Sequence, residues 1–77
     1  MFKAIKVTPE SEETIRREIG AGPDVHFKDM SGFYLVVDTS YVRPWDFYPE
    51  ALFKYHYAWE AEEQEDRFMP VREIHAP

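Results

Sequence analysis

The chain has 77 residues, no cysteine and a formal charge of −6 at pH 7. A domain of this size buries only about 60–65% of its unfolded surface, so the core is small, and disulfides and thiolate metal sites are excluded. The acidic balance argues against direct binding to nucleic-acid phosphates, which needs clustered Lys and Arg, and no apolar run approaches the ~18 residues that cross a bilayer.

The opening residues, Phe2 to Val7, are too few and too charged for a signal peptide. The expectation is one small domain over 1–77, soluble and cytoplasmic. Ile5 and Val7 are β-branched and predict a strand. Thr8-Pro9-Glu10 then reads as a helix start: Thr8 accepts from a free N–H, Pro9 suits the first helical position, and Glu10, Glu12 and Glu13 suit the positive end. Ile15 and Ile19 lie one turn apart, and Gly20 and Gly22 suit the stop, so the helix is placed over 9–19. Residues 25–29 alternate, with Val25 and Phe27 on one face, and 33–38 places Phe33, Leu35 and Val37 on one side. The turn Met30-Ser31-Gly32 between them predicts a hairpin. Residues 41–43 read as a short strand stopped by Pro44.

The segment after Pro49 admits two readings. In one, a helix over 49–67 carries Leu52, Tyr55 and Trp59 on one face. In the other, a helical turn at 49–53 leads into a strand over 54–60, because Phe53, Tyr55, Tyr57 and Trp59 recur at a spacing of two. The second is preferred, since a long helix would stack carboxylates on its negative end. An acidic loop over 60–67 follows, then a strand over 68–74 carrying Phe68, Val71 and Ile74, with Pro70 marking a sheet edge. The tail His75-Ala76-Pro77 is expected to be loose. The segment count predicts an α+β fold: one N-terminal helix packed on a small, curved, mostly antiparallel β-sheet.

Ten of the 13 aromatic residues fall within 33–59, densest around Tyr41, Arg43, Trp45, Phe47 and Tyr48. A core this small is not expected to swallow them all, and Trp, Tyr and Arg dominate interface hot spots. Arg43-Pro44-Trp45-Asp46 reads equally as a rigid corner plugging the sheet. Five negative charges lie at Glu60, Glu62, Glu63, Glu65 and Asp66, so the rest of the chain sums to −6 + 5 = −1. That strip suits a basic rim on a partner, against a plainer reading as a solvated loop. His26, His56 and His75 show no metal-ligand spacing, the carboxylates show no calcium-loop pattern, and Ser11, Ser31 and Ser40 sit where hydroxyls bond their own backbone. No catalytic residue, metal or cofactor is expected.

Lys3-Ala4-Ile5, Gly32-Phe33-Tyr34-Leu35-Val36, Pro49-Glu50-Ala51-Leu52-Phe53 and Tyr57 form a series of short motifs. In these the chain resembles a loose group of small bacteriophage and prophage accessory proteins over most of 1–58. It departs from them at Phe33, where the group is often polar, and in the acidic extension from Glu60. The resemblance implies no catalytic residues. It implies a product that works in an infected cell by binding a host or host-defence protein. The expected function is therefore non-enzymatic steric binding, with Tyr41, Arg43, Trp45, Phe47 and Tyr48 docking in an apolar pocket and the acidic strip meeting a basic rim. The alternative is a binder that sequesters a nucleotide-like ligand between rings. A homodimer is compatible with either.

Overall fold

β1 (Phe2–Lys6) lies in the middle of an antiparallel sheet, with β2 (Tyr34–Asp38) on one side and β5 (Met69–Glu73) on the other. β3 (Trp45–Tyr48) flanks β2 and β4 (Tyr57–Trp59) flanks β5, giving the order β3-β2-β1-β5-β4. Among the described residues two α-helices complete the α+β fold: α1 (Glu12–Ile19) and α2 (Glu50–His56). The computed structural model describes residues 2–38, 40, 45–59 and 67–75.

Period-two alternation assigns the side chains to two faces. On one, Ile5, Val7, Leu35 and Val37 meet Ile15 of α1 and Phe27, with Trp45, Phe47 and Phe68 packed against them. On the other, Ala4, Tyr34, Val36 and Val71 meet Phe53 of α2 and Tyr57, flanked by Phe2, Tyr48 and Trp59. All five residues of β2 are buried, because a helix covers each face. The sheet is open but curved. β3 and β4 stand four strands apart, about 19 Å in a flat sheet. Yet the rings of Tyr48 and Tyr57, one on each edge, approach to 5.6 Å.

α1 ends as expected, at Gly20, whose φ of 69° is the left-handed backbone that glycine adopts without a Cβ penalty. It begins three residues later than expected, at Glu12. Thr8 still makes its capping bond, its Oγ1 accepting from the Ser11 N–H at 3.2 Å, but this closes a turn ahead of the helix. Ser11 is fully buried; its Oγ accepts from the Thr8 N–H at 2.9 Å and donates to the Lys6 carbonyl at 2.7 Å. The hydroxyl thereby ties α1 to the end of β1.

Three expectations are corrected. Residues 25–29 form no strand: Val25 is 41% exposed, Phe27 is buried, and a 3-10 turn spans Lys28–Met30. β1 and β3 already occupy both edges of β2, so a hairpin partner has nowhere to pair. After Pro49 the helix runs to His56 and the strand is only Tyr57–Trp59, so Phe53 and Tyr55 are helical. Pro70 does not mark an edge, since β5 lies between β1 and β4. Ile74 donates its N–H to the His56 carbonyl, and alternation turns the nitrogens of Arg72 and Pro70 the same way, towards β4. β4 ends at Trp59 opposite Val71, so among the described residues no ladder bond is lost at Pro70. The strand expected over 41–43 lies outside the described residues.

Ser11→Ala removes one buried donor and one buried acceptor together. Urea denaturation is expected to show a loss of about 1–3 kcal/mol. An unchanged midpoint would mean that the β1–α1 junction does not depend on this hydroxyl.

Candidate functional site

Of the residues expected to bind a partner, Trp45, Phe47 and Tyr48 are described; Tyr41, Arg43, Glu60, Glu62, Glu63, Glu65 and Asp66 lie outside the described residues. The three rings sit on the outer strand β3 and are half-buried. Trp45 and Phe47 face the α1 side, edge to face at 5.8 Å, and Phe47 lies 5.9 Å from Phe27. Tyr48 faces the α2 side, where its hydroxyl accepts from the Tyr57 hydroxyl at 3.5 Å. Burial, with Tyr48 alongside, pushes the Tyr57 hydroxyl above the ordinary tyrosine range, so it stays a neutral donor. β3 therefore places its rings in both cores, while among the described residues no strand pairs with its outer edge.

Phe2 pairs with Asp38 and with Val71, and Val71 pairs with Trp59. The last residues of β2 and β4 are thus level with Phe2 across the sheet.

A further surface lies on α2. Leu52 and Tyr55, 48% and 57% exposed, are three residues apart and share its outer face. The His75 ring stacks on Tyr55 at 4.3 Å, with planes 8° apart. The His56 Nδ1–H donates to the His75 carbonyl at 3.2 Å, fixing the tautomer of that ring. Exposed Ile74 follows β5 at the same end, its N–H on the His56 carbonyl. His75 is thus fastened rather than loose, while Ala76 and Pro77 lie outside the described residues. The Leu52–Tyr55 spacing carried the signal for this face; the competing spacing of two drew Tyr55 onto a strand instead.

The third feature is polar. Glu12 Oε1 receives Arg16 Nη2 at 3.0 Å and lies 2.9 Å from His26 Nδ1. Arg16 Nε and Nη2 also donate to the Val25 carbonyl at 3.1 and 2.8 Å. The hydrogen bond from His26 holds the Glu12 carboxyl below its ordinary range. Beside it lies a cavity of about 90 Å³ lined by Val7, Thr8, Pro9, Glu12, Phe27, Lys28 and Ser31. Pockets for drug-sized ligands run to about 300–1,000 Å³, so this cavity is too small for a nucleotide. The histidines do not converge: His26 adjoins α1, whereas His56 and His75 share the far end of α2. Among the described residues no group of three or more His, Cys, Asp or Glu side chains is placed to hold a metal ion. Nor, among them, is any helix long and apolar enough to cross a membrane.

No family model matches the chain, and neither a curated protein nor a solved structure matches it. Function must be read from the surfaces above.

Two measurements follow from them. Trp45→Ala should lower stability by about 2 kcal/mol in urea denaturation, because the half-buried ring packs on the core. A variant as stable as the parent would make Trp45 free surface. Glu12 contributes stability above the ordinary carboxylate value, and that contribution is lost as pH falls through its lowered folded-state value. Glu12→Gln should therefore be less stable than the parent at pH 6, with the gap closing towards pH 2; a gap independent of pH contradicts the assignment.

Proposed function

We propose that this chain is a non-enzymatic interaction protein, a phage-encoded modulator that binds a host or host-defence protein sterically in the cytoplasm of an infected cell. The observation that carries the reading is the outer face of α2. Tyr34, Phe53 and Tyr57 are buried, and Phe2, Tyr48 and Trp59 pack against them, whereas Leu52 and Tyr55 remain open to solvent. Large apolar side chains left outside a core that absorbs so many rings mark a contact surface. Tyr55 is held by His75 before any partner arrives, which lowers the entropy lost on docking.

The acidic strip at Glu60, Glu62, Glu63, Glu65 and Asp66 supports a partner with a basic surface. Charges of this kind act mainly on the rate of encounter and on salt dependence. Trp45, Phe47 and Tyr48 on the outer strand β3 supply a second apolar contribution, together with Tyr41 and Arg43. The motifs shared with phage accessory proteins support the host-directed setting.

The test is capture from host lysate by the parent chain, followed by titration of the isolated partner. Leu52→Asp with Tyr55→Asp, both exposed and so compatible with folding, should weaken the complex at least tenfold. Charge reversal at Glu62, Glu63 and Glu65 should slow association and remove its salt dependence. Equal binding by parent and by folded α2 variants would refute the role of this face. Capture of no partner by the parent would refute the proposed function.

A further inference from the structure

Residues 22–26 are exposed in succession and belong to no helix or strand. Polar contacts fasten them to α1. The Val25 carbonyl receives two donors from Arg16, and the His26 ring meets Glu12, the carboxylate that also receives Arg16. Glu12 is thus the node through which one guanidinium and one imidazole hold a single loop. Phe27, next in the chain, is buried, so the loop is anchored by a ring at one end and by Gly20 and Ala21, whose N–H groups close the last turn of α1, at the other.

We propose that the His26–Glu12 contact is a proton-operated clasp that sets how firmly residues 22–26 are held on α1. Histidine is the side chain whose charge ordinarily changes between pH 5 and 8. The His26 side chain is 66% exposed, so its proton exchanges freely with solvent. Protonated, the ring forms both an ion pair and a hydrogen bond with the Glu12 carboxylate. Neutral, it loses the ion pair and keeps the hydrogen bond only in the tautomer that carries the proton on Nδ1.

Glu12 is in contact with this ring, and other charged residues lie around that contact. From α1 come Glu12, Arg16 and Glu13, the last 3.8 Å from the Arg16 guanidinium. From the 3-10 turn comes Lys28, which lines the same cavity as Glu12. Asp24 belongs to the loop itself. The bond from His26 holds the Glu12 carboxyl below its ordinary range, so the acceptor stays a carboxylate between pH 5 and 8.

The test is amide hydrogen exchange of the full chain at Val25, whose N–H donates to the Gly22 carbonyl at 3.2 Å. After correction for intrinsic exchange, loop opening in the parent should rise roughly fivefold between pH 5.5 and 8. His26→Gln, a change at an exposed position that leaves the core intact, should give a flat profile. Glu12→Gln should flatten it as well, because the charge partner is gone. A flat profile in the parent, or a parent-like rise in His26→Gln, overturns the clasp.

Discussion

The face-to-face stack of Tyr34 on Phe53, with centroids 4.1 Å apart and planes 4° apart, is the contact around which the molecule is arranged. Tyr34 belongs to β2 and Phe53 to α2, so the stack fastens the second helix over the middle of the sheet. Trp59 stands edge-on to both rings at 5.7 Å, bringing β4 into the same cluster. The chain has to travel from β3 on one edge to β4 on the other across this face. Seven helical residues advance only about 10 Å, well short of a flat sheet's width. Curvature brings the edges within reach, and the rings fill the concave side that curvature creates.

That geometry explains which parts of the fold were legible in the sequence. β2 announces itself as a continuous apolar run because both its faces are covered, β1 and β5 as short segments with β-branched residues, and α1 because Ile15, Ile19 and Gly20 stand at helical offsets. The error after Pro49 has a specific cause. Phe53, Tyr55, Tyr57 and Trp59 alternate as a strand would, but the first two lie in a helix, where Phe53 turns to the core and Tyr55 to solvent. A spacing of two across a helix–strand junction mimics a single strand, and local pattern carries no information about the width that α2 must cross. The error at 25–29 is similar in kind. Alternation there is real, but the pairing it would need is taken by β1 and β3, which are distant in sequence.

The candidate site was legible in composition more than in position. An excess of rings does mark this chain, yet most of the described rings are absorbed by two cores instead of one, because the central sheet is covered on both faces. Trp45, Phe47 and Tyr48 consequently serve the fold, and any role they have in binding is exercised from an edge strand with structural duties. The surface that carries no such duty is the Leu52–Tyr55 face. It was visible as an i, i+3 pair only in the reading of this segment that sequence periodicity disfavoured.

The polar groups reveal a division along the same lines. Within the ring cluster, Tyr57 and Tyr48 pair their hydroxyls, and burial keeps Tyr57 neutral, helped by the negative charge of the buried Asp38 on the same side of β2. The Trp59 indole N–H is buried there with no hydrogen-bond partner among the described residues. On the α1 side Glu12, Arg16 and His26 stand at the periphery, where they hold a loop. Histidines stand at both places: His26 on this loop, and His56 and His75 at the end of α2, beside Tyr55. The proposed clasp concerns the loop alone, while the stack of Tyr34 on Phe53 supports the α2 face.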